Sequence, residues 1–552
     1  MKYLLLIALA CFSFSMHSQN KPQDRPNILW LSAEDMGPLL SSYGAAGINT
    51  PNIDRLAKEG VRYSHAYATV GVCGPSRSSI ITAMYPVRIG SHNMRTGDHY
   101  RYHPPEEESY QTYIKVKDAK GQNVPEYSVV PPSYVKCFTE YLRTAGYYCT
   151  NNYKCDYQFN CPITAWDEVG NEASYKNRLE DMPFFSVIND HVTHESRIWK
   201  KKDDPLLAEK ENVVVPNYFP DIPVVRKDLA RKYSNIIELD EHIGEIMDNL
   251  EKEGLLKNTI IFFWSDHGGP LLRQKRAVGN SGLQVPLIVR FPDKRLAGTV
   301  NDDIISLMDL GPTVLSLAGI KPPGHMDGKA FLGEYKEEPH TYAFGSADRF
   351  DETTDMARSV IDGRYVYIKN FRPELPLVYR LEYRENIDMM KALLEMDKKN
   401  ELSGDAGYIF MKTKPLEELY DLQVDPYEVH NVAEDPKYRS KLLELREALG
   451  RWQLDVGDKG FIPEHDLVRM MWPGNIQPET SEVVFKRLGD RNIELSSSTS
   501  GASIAYMEEN KNGTSRWKLY SEPIALSKGT SIAARAVRLG YKTSEITRLD
   551  MN

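Results

Sequence analysis

The feature of this sequence that most constrains its fold is a series of short apolar runs separated by amphipathic helical segments. The apolar runs lie at residues 28–31, 184–188, 259–264 and 287–289, and runs of this kind favour buried strands. Residues 233–250 carry apolar side chains at i+3 and i+4 spacing, which is typical of a long helix with one buried face. Ser133 is predicted to cap a shorter helix. Strands that alternate with helices predict an α/β domain on a mainly parallel sheet.

Beyond this pattern the chain changes character twice. Residues 359–367 are predicted to form a hairpin with an Asp-Gly turn, and a strand at 418–422 and a helix at 438–452 follow. After Trp472 the sequence becomes rich in Ser and Thr, with short alternating strands and no helical periodicity. We therefore predict three folded units, listed with their bounds: an α/β domain at 25–355, a smaller α+β subdomain at 356–472 and a small all-β module at 475–552.

The first 18 residues have the pattern of a cleaved export signal. Lys2 precedes an apolar run at residues 3–14, which is too short to span a bilayer, and small residues follow it. Cys11 offers lipid attachment as an alternative, but the Ala at the first position of its motif disfavours this reading. We expect no transmembrane segment and an exported protein, in the periplasm, secreted or at the cell surface.

Five cysteines remain after removal of this signal. Four lie close together in the sequence and could form up to two disulfide bridges by one of three pairings, as expected for an exported protein: Cys137, Cys149, Cys155 and Cys161. The fifth, Cys73, is left over.

The charge balance limits the classes of partner. The chain has 68 Lys and Arg against 77 Asp and Glu, a formal net charge of −9. Readers of polyanions usually carry a net basic surface, so nucleic acid is not an expected partner. An anionic substrate would need a local basic pocket.

Two acidic pairs directly follow predicted strands. Glu34 and Asp35 come after the first strand, and Asp266 and His267 come after the strand at 259–264. Functional groups of α/β sheets gather beyond the carboxyl ends of strands. Three carboxylates there predict a site for a hard divalent cation, with Ca²⁺ favoured. The alternative is a pair of solvated strand ends.

Cys73 begins the segment Cys-Gly-Pro-Ser-Arg at residues 73–77. Pro75 suits the first turn of a helix, because its missing N–H costs nothing there. Cys73 would then lie at the positive N-terminal end of a helix, where anions bind and nucleophiles are activated. The alternative is a buried structural cysteine.

Residues 73–77 match the C-x-P-x-R signature of type I sulfatases, whose Cys is converted to formylglycine. Residues 26–29, 49–56 and 265–268 also resemble landmarks of that family, as does Lys275 placed seven residues before Gly282. The similarity runs in order over about residues 25–450. It implies an alkaline-phosphatase-like fold with a large mixed, mainly parallel sheet, and a sulfuric ester hydrolase. Within the family the chain resembles bacterial polysaccharide sulfatases and the heparan N-sulfatase-like branch.

The resemblance also implies roles for single residues. The calcium ligands would be Glu34, Asp35, Asp266 and His267, together with formylglycine at position 73. Glu34 departs from the usual Asp, and His267 stands where Asn or His is found. Arg77 would hold the formylglycine, and Lys275 would neutralise charge on the sulfate.

Two further residues are assigned by position. Lys154 resembles the lysine of a Gly-Lys-Trp-His segment, which implies that it contacts the sulfate. The Gly of that segment is absent and Asp156 stands where the His is expected, so Asp156 receives no role. His194 aligns with the histidine that protonates the leaving oxygen. Its alternative is an ordinary loop histidine, and we take His191 for a bystander.

Candidate substrate-binding residues are mostly arginines, whose forked guanidinium groups suit sulfate and carboxylate. Each could instead form a structural ion pair. The candidates are Arg88, His92, Asn93 and Arg95 after the helix start, and Arg349, Asp351 and Arg358 from the second subdomain.

These expectations describe an exported sulfatase that acts on a sulfated carbohydrate after a formylglycine-generating maturation enzyme has converted Cys73. The export signal resembles those of Bacteroidetes, whose members degrade algal polysaccharides, so an ulvan-type substrate is our first hypothesis. The alternatives are a sulfamidase acting on N-sulfoglucosamine, a phosphoesterase of the same superfamily and a non-catalytic glycan-binding protein. The last module resembles the small β-sandwich at the C-termini of chitobiase-like enzymes.

Overall fold

The computed structural model describes residues 25–107, 115–489, 491–509, 516–527 and 529–550. The predicted export signal and Cys11 lie outside these residues. Within them, the first sheet has eight strands: β1 (Asn27–Ala33), β2 (Val61–Tyr67), β3 (Tyr148–Asn151), β4 (Glu168–Val169), β5 (Phe184–Asp190), β6 (Thr259–Ser265), β7 (Gln284–Arg290) and β8 (Thr299–Ser306).

The order of strands in this sheet is β4-β3-β5-β1-β6-β7-β2-β8. Strand β1 lies between β5 and β6 and is parallel to both, whereas β7 is antiparallel to β6 and β2. The sheet is therefore mixed and mainly parallel, which confirms the predicted fold class.

Helices cover both faces of the sheet. The helices of this part are α1 (Pro51–Glu59), α2 (Cys73–Thr82), α3 (Pro86–Ile89), α4 (Phe138–Thr144), α5 (Ser196–Lys200), α6 (Pro223–Lys252), α7 (Asn280–Leu283) and α8 (Leu310–Leu317). Alternate residues of β1 serve the two faces: Trp30 packs in the cluster with α2, α4 and α8, and Leu31 packs in the cluster with α1 and α6. Burial on both faces explains why β1 is a continuous apolar run.

One predicted helix start was wrong. The backbone of Val135 donates to the carbonyl of Pro132 in a turn, and α4 begins only at Phe138. Ser133 therefore does not cap this helix, because the turn separates it from the first helical residue.

The second sheet is antiparallel and contains β9 (Ala343–Phe350), β10 (Thr353–Ile361), β11 (Tyr365–Asn370) and β12 (Glu417–Asp421). The predicted hairpin is β10 and β11, and its Gly363 has the positive φ that the turn requires. The helices of this part are α9 (Asp388–Lys398), α10 (Gly404–Ile409), α11 (Arg439–Val456) and α12 (Glu464–Met471). The predicted boundary at 355/356 falls within β10, and β9 pairs with β10; the division into domains stays a prediction.

The last part of the chain forms two antiparallel sheets. The strands are β13 (Val484–Arg487), β14 (Asn492–Ser496), β15 (Ser503–Glu509), β16 (Lys518–Leu519), β17 (Ile524–Ala525), β18 (Ser531–Val537) and β19 (Thr547–Asp550). One apolar cluster lies between the sheets, with Ile493 and Leu495 on one side and Ile532 and Ala534 on the other. The all-β character expected of this region is confirmed.

Two features of the whole described chain complete the fold. All five cysteines among these residues are buried free thiols, so neither of the disulfide bridges that the sequence allowed is present. In the same residues, no helix combines the length and apolar character that a membrane crossing would need.

Candidate active site

The two acidic pairs meet at one edge of the sheet. Ala33 and Ser265 are the paired last residues of the parallel strands β1 and β6, so the residues that follow them emerge side by side. The backbone N–H of Asp35 donates to Asp266 Oδ1 over 3.1 Å. Asp35 has a φ of 48°, which turns the chain sharply after β1. Both carboxylates are fully buried.

Cys73 lies against this pair, at the first residue of α2, as the sequence predicted. Its Sγ is 3.6 Å from Asp35 Oδ1, 3.3 Å from His267 Nε2 and 3.5 Å from Lys275 Nζ. A cysteine that served packing alone would have apolar neighbours on all sides. The thiol here faces a carboxylate, an imidazole and an ammonium group.

The donor set fits a hard divalent cation. The ligand atoms of Asp35, Cys73, Asp266 and His267 all lie within 4.8 Å of one another, and all four residues are buried. Glu34 lies beside this group, and its Oε2 is buried without a hydrogen-bond partner among the described residues. An unsatisfied buried carboxylate oxygen is costly unless a cation or donor reaches it. The residues present could therefore hold a metal ion.

Three basic side chains balance these acids. Lys275 Nζ contacts the two Asp35 oxygens at 2.8 and 2.6 Å, and Lys154 Nζ contacts Glu34 Oε1 at 2.6 Å. Arg77 donates through Nε to Asp266 Oδ2 over 3.1 Å and through Nη1 to Asn189 over 2.8 Å. The guanidinium of Arg77 thereby fixes the orientation of Asp266.

Charge pairing dominates the protonation of the cluster. Burial opposes ionisation of Asp35, but Lys275 and the neighbouring histidines hold the pKa of its carboxyl well below the usual value. Burial likewise opposes the charged form of His267, yet Asp266, Cys73 and Asp35 raise its pKa to about 10. Without a metal ion, the Asp35 carboxylate is thus held by an ammonium and an imidazolium group.

His194 follows β5 and faces the same centre. Its Nε2 is 3.4 Å from Lys275 Nζ, and its Nδ1 is 2.9 Å from Ser196 Oγ. Burial first, and then Lys275, hold the pKa of His194 well below the usual value. In the ligand-free protein the imidazole is therefore neutral at pH 7.

A pocket of about 400 Å³ opens above Cys73, and Lys154, His194 and Lys275 line it. Its walls carry three tyrosines and three basic side chains, namely Tyr100, Tyr153, Tyr383, Arg95, Arg197 and Lys200. No carboxylate in the described chain pairs with Arg197 or Lys200. Two carboxylates, Asp98 and Asp156, line the pocket against six basic side chains. The pocket is therefore aromatic and locally basic in a protein of net negative charge.

Of the predicted substrate-binding residues, the structure brings Arg95 to the pocket wall, where it also pairs with Asp351 at 3.3 Å, and does not bring the others. Arg88 pairs with Asp327, and His92 is 2% exposed. Arg349 is paired with Glu464, and Arg358 is paired with Asp348 and Asp458, all of them buried. These long arginine side chains form ion pairs with nearby carboxylates. The positions of the arginines in the sequence do not indicate which carboxylate each one will pair with.

Three residues of the site were not predicted from the sequence. The backbone N–H of Glu195 donates to Asp35 Oδ2 over 2.6 Å, and Arg276 holds Glu195 and Asp351. Tyr383 closes the pocket near His194, with the ring centroids 6.4 Å apart. The neighbours of His194 and Lys275 in sequence could have pointed to Glu195 and Arg276, whereas nothing indicated Tyr383.

Comparisons with known proteins agree with this geometry. The sulfatase family profile matches residues 26–320, which is more than half of the chain. An ulvan-active sulfatase of Formosa agariphila is 40% identical over 96% of this chain and 92% of its own length. Human N-sulphoglucosamine sulphohydrolase is 25% identical over 78% of this chain and 90% of its own.

Solved structures show how widely the fold is used. A protein in complex with its substrate D-glucosamine-2-N,6-O-disulfate has a TM-score of 0.54 at 17% identity and covers 80% of this chain and 99% of its own. The phosphonate monoester hydrolase of Agrobacterium radiobacter has a TM-score of 0.52 at 17% identity and covers 78% and 96%. The fold alone therefore does not separate sulfate from phosphonate chemistry. The family profile and the 40% identical relative do so, and this chain belongs to the sulfatase family, as a sulfuric ester hydrolase.

Proposed function

We propose that this sulfatase hydrolyses sulfate esters on a sulfated polysaccharide or its oligosaccharides, with formylglycine at position 73 and Ca²⁺ beside it. The observation that carries the proposal is the position of Cys73 Sγ on the floor of a basic pocket, within 3.6 Å of Asp35, His267 and Lys275. The proposal includes export of the protein and conversion of Cys73 by a formylglycine-generating enzyme.

Position 73 would supply the nucleophile. As hydrated formylglycine it offers one hydroxyl to attack sulfur and a second to expel the sulfate afterwards. The start of α2 favours negative charge at this place, because the first backbone N–H groups of a helix point there. The whole of α2 is buried, so residue 73 has little freedom to leave the reacting position.

The acidic pairs would hold the cation. Asp35, Asp266 and His267 provide ligand atoms close to position 73, and the unpartnered Oε2 of Glu34 is available to complete the set. Carboxylate oxygens in this number favour Ca²⁺ over softer metals. When bound, the cation polarises sulfate oxygens and stabilises a deprotonated hydroxyl.

Two lysines would bind the sulfate group. Lys275 Nζ lies between Cys73 Sγ and His194 Nε2, at 3.5 and 3.4 Å. It can therefore donate to a sulfate oxygen placed between nucleophile and acid. Lys154 reaches the pocket from the opposite side and is held by Glu34.

His194 would protonate the leaving oxygen. Its Nδ1 interacts with the hydroxyl of Ser196, which orients the ring and leaves Nε2 facing the pocket. An anionic sulfate beside the ring raises its pKa, because a nearby negative charge favours imidazolium. The proton at Nε2 then passes to the sugar oxygen as the bond to sulfur breaks.

The pocket walls support a polyanionic saccharide as the substrate. Tyrosine rings pack against the apolar faces of sugars, and Arg95, Arg197 and Lys200 add positive charge at the pocket. The relative with 40% identity is named for activity on ulvan, so ulvan oligosaccharides are the first substrates to test.

The test is release of inorganic sulfate by protein co-produced with a formylglycine-generating enzyme. The panel contains ulvan oligosaccharides, carrageenan, fucoidan and both O- and N-sulfated heparin fragments, with formylglycine at position 73 verified by mass spectrometry. We expect release from an O-sulfated glycan, none from Cys73→Ala, and release retained in Cys149→Ala, which removes another buried thiol.

Other outcomes would contradict the proposal in different ways. Release from N-sulfated fragments alone would establish a sulfamidase. Turnover of phosphate or phosphonate esters without sulfate release would establish a phosphoesterase. Glycan binding that is equal in Cys73→Ala, with no turnover, would establish a binding protein.

A further inference from the structure

A second cavity lies behind the catalytic pocket. It has a volume of about 90 Å³, and Lys275 and Arg276 line both spaces, so these two residues form the wall between them. The far side of the cavity is built from the second sheet and from the segment that contains Arg384. A space of this size holds several water molecules or a small ion.

Arg384 lines this cavity and has no ion-pair partner among the described residues. The residue is 4% exposed, its Nε is buried without a hydrogen-bond partner, and no carboxylate of the described chain forms an ion pair with it. Burial and the neighbouring Arg276 lower the pKa of Arg384 to about 10. The guanidinium therefore remains charged at neutral pH.

The acids around Arg384 are engaged elsewhere. Glu195 and Asp351 bind Arg276, and Asp355 binds Lys414 through Oδ2 at 2.5 Å. Two more carboxylates line the cavity: Glu418 accepts from Asn370 and the Tyr420 hydroxyl, and Glu428 accepts from the backbone N–H groups of Asn280 and Ser281. The second oxygen of Asp355, Oδ1, has no partner in the described structure, but burial raises the pKa of this carboxyl. A buried cation without an ion-pair partner is costly, so the Arg384 guanidinium is the group of this cavity that can take an anion from outside the chain.

Further donors line the same cavity. Lys414 carries three N–H groups, of which one reaches Asp355 and one reaches the Tyr379 hydroxyl over 3.3 Å. Since Tyr379 accepts there, its own O–H stays free to donate. We propose that this cavity binds a small inorganic anion, held by the Arg384 guanidinium with help from Lys414 and Tyr379. The anion could be sulfate released by the enzyme or a halide, and the site does not depend on the proposed function.

Thermal unfolding of the full chain tests the site. The protein is melted in gluconate, an organic anion much larger than chloride or sulfate, and gluconate is then replaced by chloride or by sulfate at constant ionic strength. We expect a saturable rise of the wild-type Tm by about 1–2 °C at ten times the dissociation constant. Arg384→Met should lose this rise. Arg380→Met, at an exposed arginine on the same segment, should keep it.

The comparison of anions identifies the ligand. Sulfate can also bind in the catalytic pocket, and that binding persists in Arg384→Met. Only the part of the Tm rise that this variant loses is therefore assigned to the cavity. A rise with sulfate alone would identify the reaction product, and an equal rise with chloride would identify a general anion site. An equal rise in wild type and Arg384→Met would overturn the proposal.

A direct measurement covers the case in which the variant does not fold. Wild-type crystals soaked in bromide should show an anomalous peak in the cavity within hydrogen-bond distance of Arg384. Water alone at this position under saturating bromide would overturn the site. In gluconate, Arg384→Met should melt at or above the wild-type temperature, because it removes an uncompensated buried charge; a large drop there would show that Arg384 has a structural role instead.

Discussion

The candidate active site and the arginine pairs beside it are both networks of buried charge. They differ in how fully the chain itself supplies their hydrogen-bond and ion-pair partners. Arg349 binds both oxygens of Glu464 at 2.5 and 2.7 Å, and its Nη1 donates to the backbone carbonyls of Met94 and Asp351. In the candidate active site, Glu34 Oε2 has no hydrogen-bond partner among the described residues, and the Asp35 carboxylate is shared between Lys275 and His267.

The completeness of pairing distinguishes structural from functional charged residues better than burial does. A fully paired arginine fork is satisfied by the chain itself and has nothing left for a ligand. A centre with an orphan oxygen and competing cations is completed only when something else binds. Arg349 also holds the carbonyl of Met94, on the pocket wall, so it supports the site without entering it.

The largest expected effect is at Asp35. Asp35→Asn removes a carboxylate from the proposed cation site while keeping the shape of the side chain. We expect kcat/KM to fall by at least about 10³-fold, and the rise in Tm that Ca²⁺ gives over EDTA to disappear. Asp248→Asn, at an exposed acid, is the matched control. Wild-type turnover in Asp35→Asn would remove the metal assignment.

The arginine pairs should respond in the opposite way. Arg349→Met leaves Glu464 buried without its counter-charge, so the free energy of unfolding should fall by about 3–5 kcal/mol, while the Ca²⁺-dependent rise in Tm persists. Chemical denaturation measures the loss, and Arg380→Gln, in an exposed pair, should change it little. An unchanged stability with a raised KM would place Arg349 in substrate binding after all.

The same contrast explains what the sequence could predict. Glu34 with Asp35 and Asp266 with His267 were predictable because each pair directly follows a strand, and parallel neighbours bring their ends together. The start of α2 at Cys73 was predictable from Pro75. The positions of these residues depend on the local backbone conformation, and the sequence pattern predicts that conformation.

Placement of the arginines depends on contacts across long separations. Arg349 and Glu464 are 115 residues apart, and Tyr383 reaches His194 from a different part of the chain. The antiparallel pairing of β7 with β6 and β2 likewise depends on strands that are distant in the sequence. No pattern in the sequence states which side chains will meet after folding.

Substitution of His194 tests whether this side chain takes part in the chemical step or only in substrate binding. His194→Ala should lower kcat on a saccharide sulfate by about 10²-fold or more. On an activated aryl sulfate it should cost far less, because that leaving group needs no proton. His191→Ala, at the neighbouring pocket histidine, should reduce neither rate comparably. Equal losses on both substrates would show that His194 is not the acid.

The smallest expected effect is at Arg197, a basic side chain of the pocket wall. Arg197 is half-buried and lines the pocket without a carboxylate partner in the described chain, so it is free to meet an anionic group of the substrate. Arg197→Gln should raise KM for a polyanionic oligosaccharide by about 2–5-fold, with kcat unchanged and the difference shrinking at high salt. Arg226→Gln, in an exposed pair with Asp221 away from the pocket, should leave KM unchanged. If kcat fell instead and KM did not move, Arg197 would belong with the centre, and an unpaired charge at the pocket wall would no longer indicate substrate binding.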